Sequence, residues 1–163
     1  MATSSTPATN LTPPPAAALG PNASVTHLGP FSGLSRYLLQ VPALGKVSGK
    51  VFLKPVLGLT GMEVSATSLP PGFAMPFLHR HVSHEELHIV ISGEGEQVVD
   101  GHTVKLSAGS CVRMAPDGAR AIRNTSSTEP LVYLCIQAQA NSMTDAETTA
   151  DGRLAPGAPW PSP

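Results

Sequence analysis

The sequence predicts an all-β domain, a sandwich or small barrel built from many short strands. Short runs rich in Val, Ile and Leu are separated by turns containing Gly, Pro or Asp. Side chains alternate apolar and polar in "TVKLSAG" and "SCVRMAP", and no stretch of the core sustains the apolar period of a long helix. At 163 residues the chain is the size of one ordinary domain.

Residues 1–26 are almost wholly Ala, Ser, Thr, Pro, Gly and Asn, a composition that buries too little apolar area to offset the entropy of ordering. They are expected to form a disordered tail. An acid-free, Ser/Thr-rich start resembles an organelle transit peptide, but the first Arg is Arg36 and no amphipathic helix is visible. The domain proper is expected over 27–140. It opens with "KVFLKPVLG" and "MEVSATSLPPG", continues through the run from Leu87 to Asn124, and ends with "PLVYLCIQAQ". Ser92–Gly95 and Asp100–Gly101 read as tight hairpin turns. Residues 141–163 are expected to be a C-terminal tail, with a weak helical signal in "SMTDAETT" and Trp160 as an apolar anchor.

Charged residues make up only 13% of the chain and the formal net charge is −1, without a basic cluster, which excludes a nucleic-acid or anionic-membrane footprint. No apolar stretch approaches the ~20 residues of a membrane span, and no secretory leader is visible. The expected location is cytoplasmic, and the expected partner is a small-molecule ligand. Cys111 and Cys135, both in apolar strand-like runs, are read as reduced core thiols.

The densest chemistry lies in "PFLHRHVSHEELHIVISGEGE", which carries four of the six histidines. His79 and His81 are two apart and would project to one face of a strand; Glu86 and His88 have the same relation on the next run. If the two runs are inward-facing neighbours, with "VSHE" as the connecting loop, two imidazoles and a carboxylate converge. Such a set suits Fe(II), Mn(II), Zn(II), Ni(II) or Cu(II).

The spacing H-x-H-x4-E-x6-G, here His79, His81, Glu86 and Gly93 after Gly72, resembles the first motif of the cupin superfamily, with one extra residue between Gly72 and His79. The resemblance covers roughly residues 47–139. It implies a jelly-roll β-barrel with His79, His81 and Glu86 on three metal-ligand positions. The second cupin motif supplies a fourth ligand, a histidine. In "GSCVRMAPDGARAIRN" the motif's Gly109, Pro116, Gly118 and Asn124 are recognisable, but Ala121 stands in the histidine slot and the segment beyond is one residue short. His88 is the candidate replacement ligand. Small cupins that share "PDG-R-x-x-RN" imply a fold but no reaction.

Other residues have plainer readings. Arg113, taken as inward with Cys111 and Ala115, would pair with a glutamate or bind a substrate carboxylate. Arg120 or Arg123 would face the cavity and bind an anion, since a guanidinium does not ligate metal. His84, His102 and His27 are expected at the rim or in solvent, Glu85 on the surface, and Met62, Met75 and Met114 in the core. The Gly-rich "SGEGE" is a turn and not a phosphate loop, because no helix follows it. These readings lead to a metal-binding cupin with oxygenase or isomerase chemistry. The alternatives are a non-catalytic module that captures a small acid or sugar, and an assembly role. A homodimer is expected, because pairing buries surface that a small domain needs.

Overall fold

The computed structural model describes residues 12–41, 45–143 and 150–157. Trp160 and most of the expected helical turn after Ser142 lie outside them. Among the described residues no helix is long and apolar enough to cross a membrane.

The strands in chain order are β1 (Ala17–Ala18), β2 (Ser24–Val25), β3 (Leu38–Val41), β4 (Gly45–Ser48), β5 (Lys50–Phe52), β6 (Met62–Leu69), β7 (His84–Ser92), β8 (Gly95–Val99), β9 (His102–Leu106), β10 (Cys111–Met114), β11 (Arg120–Asn124) and β12 (Leu131–Gln139). Among the described residues only a 3-10 segment (Phe31–Arg36) and a single helical turn (Lys54–Leu57) interrupt them. One sheet has the order β10-β7-β12-β6-β5, and a second has β11-β8-β9. Every pairing is antiparallel. The all-β expectation holds.

Alternation divides the larger sheet into two faces. Leu69, Val90, Tyr133 and Cys135 join Leu106 and Ile122 of the smaller sheet in one buried cluster, the barrel interior. The opposite face presents Val51, Ala66 and Val132, which are covered by Leu28, Leu34 and Tyr37. The segment before the barrel is therefore a second apolar layer and not a loose lead-in. Within the stretch read as a disordered tail, residues 12–26 are described, and β1 and β2 form a short ladder joined by a turn at Gly20 (φ 90°). The hydroxyl of Ser24 ties this ladder to the Leu57 carbonyl at 2.8 Å. Backbone pairing here supplies order that side-chain burial does not.

Asp100 (φ 49°) and Gly101 (φ 83°) form the two-residue turn joining β8 to β9, as the sequence predicts. Ser92–Gly95 differs. It is not a hairpin turn but a crossing from the larger sheet to the smaller, because β7 and β8 belong to different sheets. Gly93 adopts φ 86° there, and a Cβ would stand 2.3 Å from the Pro130 carbonyl oxygen, so the crossing requires glycine.

Asn124 closes the barrel at the end of β11. Its amide nitrogen donates to the carbonyls of Leu69 (3.0 Å), Pro70 (3.1 Å) and Glu129 (2.8 Å), and its oxygen accepts from the Ser126 N–H (2.9 Å). Replacing it with Ala strands several of these groups. Asn124→Ala is expected to cost about 3 kcal/mol, read as a lower denaturant midpoint with an unchanged slope.

Candidate metal centre and its cavity

Phe73 to His81 runs beside β11 through two isolated bridges, Ala74 with Arg123 and His79 with Arg120. The His79 and Arg120 backbones exchange hydrogen bonds at 3.1 and 3.0 Å. The histidine pair therefore belongs to the smaller sheet's side. It is not a strand neighbour of Glu86 and His88, which project inward from β7 with Val90. The connecting loop shrinks to Val82–Ser83, because His84 and Glu85 already begin β7.

One candidate ligand atom from each of His79, His81 and Glu86 lies within 4.8 Å of the others. His81 Nε2 is 3.4 Å from Glu86 Oε1. A second group of the same kind, Glu86, His88 and Cys135, shares the carboxylate. Both line a cavity of about 110 Å³ whose walls include Lys50, Gln97, Arg120 and Gln137.

Glu86 is buried, and its two oxygens have different surroundings. Oε2 accepts from Arg120 Nε at 2.8 Å; Oε1 accepts from Gln137 Nε2 at 2.9 Å and from the Cys135 thiol at 3.5 Å. Burial alone would raise its pKa, but the Arg120 hydrogen bond and nearby positive charge reverse that and hold the carboxyl below its ordinary range. Arg120 is itself enclosed, with Nη1 donating to the carbonyls of Pro116 (3.1 Å) and Gly118 (3.0 Å). The "PDG" loop thus forms a cage around the guanidinium.

The imidazoles shift in the other direction. Desolvation, aided by Arg120, lowers the pKa of His79 and His81 despite the opposing field of Glu86. His88, the most deeply buried of them, is lowered to about 4 by desolvation. Gln97 also fixes its tautomer. The Gln97 amide nitrogen donates to the Ala121 carbonyl at 2.9 Å, so its oxygen faces His88 Nδ1 at 3.1 Å and accepts that N–H. Nε2 of His88 keeps its lone pair. Burial, followed by the Glu86 charge, pushes the Cys135 thiol up to about 11. At neutral pH the cavity therefore offers neutral imidazoles, one carboxylate and a protonated thiol.

The chain matches a family model described as a cupin domain over residues 66–137. A cupin protein from Bacteroides fragilis of solved structure is 42% identical, with a TM-score of 0.61 over 65% of this chain and 88% of that one. The chain belongs to the cupin superfamily. A predicted oxalate decarboxylase from Thermotoga maritima is 25% identical at a TM-score of 0.50, covering 58% of this cupin and 82% of its own chain. A protein described as a sugar phosphate isomerase from a cupin superfamily, from Silicibacter pomeroyi, shares the fold at 23% identity and a TM-score of 0.50, covering 56% and 60% of the two chains. No curated protein matches this cupin.

The second-motif change in this cupin now has a physical form. Along β11 the buried positions are Arg120, Ile122 and Asn124, whereas Arg123 is exposed. Arg120, and not Ala121, fills the inward position beside the ligand cluster. Arg123 faces out and pairs with Glu96, its Nε donating to Oε2 at 2.8 Å. Arg113 is also exposed, with Nη2 2.7 Å from Glu85 Oε2. Neither arginine lines the cavity. Strand phase explains the difference: Val112 and Met114 are the more buried residues of β10, so Arg113 and Cys111 point away from the barrel. Cys111 is accordingly an exposed free thiol, while Cys135 is the buried one expected. Of the three methionines read as core, Met114 is buried, Met62 is 46% exposed, and Met75 lines the cavity.

These residues fit a divalent transition metal. His79 Nδ1 is buried without a hydrogen-bond partner, an orphaned nitrogen that a cation would satisfy. Arg120 holds Oε2 of Glu86, while Oε1, which also accepts from Gln137 and Cys135, lies 3.4 Å from His81 Nε2 and is the oxygen on the imidazole side. His88 shares Glu86 with that set but is grouped with Cys135 and not with the His79–His81 pair. Lys50, Gln97, Gln137 and Tyr133 complete the walls, and none carried a spacing signal in the sequence.

Proposed function

We propose that this chain is a metal-binding cupin that acts on a small organic molecule, with His79, His81 and Glu86 as ligands and His88 on the other side of the shared Glu86. The observation that supports this most directly is the convergence of two neutral imidazoles and an ionised carboxylate on one cavity. A divalent ion held by these residues would supply Lewis-acid polarisation of a substrate oxygen for isomerase chemistry, or, if redox-active, open positions for oxygen for oxygenase chemistry. The protein's own part is to keep the ligands deprotonated, anchor Glu86 through Arg120, and exclude bulk water. Fe(II), Mn(II), Zn(II), Ni(II) and Cu(II) all match the donor types. The metal set is tested with His81→Ala. Competition against a chelating dye should show Co(II) or Zn(II) affinity falling at least ~100-fold; unchanged affinity removes these ligands from the account.

A second reading, a binding module that needs no metal, is favoured by the Arg120–Glu86 pair, which already neutralises the carboxylate. Its signature is thermal stabilisation by a small acid that persists in chelator. Both readings are of a cytoplasmic homodimer, for which the edge strand β10 is a pairing surface. A monomer mass by light scattering contradicts that assembly.

A further inference from the structure

A second and larger hollow adjoins the cavity of His79, His81 and Glu86. Its volume is about 440 Å³, within the usual range for small-molecule sites, and its walls include Val41, Val47, Phe52, Leu69, Phe73 and Phe77. The two spaces share Lys50, Met75, His79 and Tyr133 as walls, so they adjoin, the larger one mainly apolar and the smaller one lined by charged and polar groups.

The smaller space carries unbalanced positive charge. Among the described residues Glu86 is the only carboxylate lining the cavity, and it is committed to Arg120. Lys50 has no carboxylate within ion-pairing distance among the described residues; its ammonium sits 5.0 Å from the centre of the Phe52 ring. Arg120 is wholly buried, and its Nη2 has no hydrogen-bond partner. A buried guanidinium N–H without an acceptor is costly, and because Arg120 lines the cavity its charge favours an anion there. A divalent ion would increase the positive excess, yet the excess exists without one.

We propose that this site takes an amphipathic organic monoanion, an aromatic or alkyl carboxylate, with its apolar body in the larger hollow and its carboxylate facing Lys50 and Arg120. The proposal uses the cavity of the preceding reading and names its substrate class, but its charge argument is independent of the metal.

The test is calorimetric titration of the full chain with 3-phenylpropanoate, 3-phenylpropanamide and acetate, each in chelator and after Zn(II) loading. 3-Phenylpropanoate is expected to bind in both conditions. The amide, lacking the charge, and acetate, lacking the body, should each bind roughly 10- to 100-fold more weakly. Lys50→Met should lose a similar factor while keeping its metal content and melting temperature, and Lys50→Arg should restore binding. Equal binding of acid and amide, or a Lys50→Met variant that binds as the parent does, overturns the proposal. Binding of the acid only after Zn(II) loading also overturns it, because the protein cations would then be insufficient. If His81→Ala loses the metal yet binds the acid normally, the proposal stands. If His81→Ala keeps the metal, the metal assignment fails, while its binding of the acid in preference to the amide still supports this proposal.

Discussion

Arg120→Met should be among the most destabilising single substitutions in the domain, costing roughly 3–5 kcal/mol. Methionine fills much of the same volume, so the loss is chiefly electrostatic. Glu86 is 4% exposed and would remain ionised with its 2.8 Å partner gone, or would take up a proton at a cost. The carbonyls of Pro116 and Gly118 would lose their donor as well. Thermal denaturation in chelator should show the midpoint falling by about 10 °C or more. Removing the second charge should recover part of the loss, because an apolar pair in place of a buried ion pair is often neutral. Glu86→Gln combined with Arg120→Met is therefore expected to be more stable than Arg120→Met alone. A parent-like melting temperature for Arg120→Met would show that the guanidinium is not the structural counter-ion of Glu86.

The second large effect is on pH dependence. Metal-free protein should lose stability as the pH falls from about 6.5 to about 4. The sign follows from His88, whose folded pKa is about 4 against an ordinary value of 6.5. Between those values the unfolded chain binds a proton that the folded chain refuses, so acid favours unfolding; above 6.5 the contribution is complete. The shift corresponds to roughly 3 kcal/mol at most. His79 and His81 act in the same direction, since both are lowered. Glu86 adds a further loss at lower pH: its folded pKa lies below the ordinary 4.5, so its stabilisation is present above 4.5 and disappears as the pH falls through the folded value. Denaturant titrations in chelator across this range test the slope. His88→Phe should flatten most of it between pH 6.5 and 4, and an unchanged slope in that variant would assign the effect elsewhere.

The parts of this molecule that were readable from the sequence are those governed by local rules. The Asp100–Gly101 turn needs two residues with positive φ, and its composition signals that directly. The spacing of His79, His81 and Glu86 singles out three residues that the fold brings together around one cavity. What escaped depends on long-range placement. Alternation in "SCVRMAP" is compatible with either phase, and pairing of β10 with β7 chooses the one that exposes Cys111 and Arg113. Arg120 was identifiable as an inward candidate, but its partner Glu86 is 34 positions away. Gln97 and Lys50 have unremarkable neighbours in the chain; only the folded barrel brings one against His88 and the other to the cavity wall. The Ser92–Gly95 segment has hairpin composition, yet the two flanking strands pair with other partners.

The central claim is that His79, His81 and Glu86 bind a single ion, and elemental analysis tests it most directly. Protein purified without added metal would be assayed, then reconstituted separately with Fe(II), Mn(II), Zn(II), Ni(II) and Cu(II) and freed of excess. The account predicts close to one ion per chain with at least one of these metals, and near-complete loss of it in the His79→Ala, His81→Ala double variant. A parent protein that retains none of the five, or a double variant that retains as much as the parent, would contradict it.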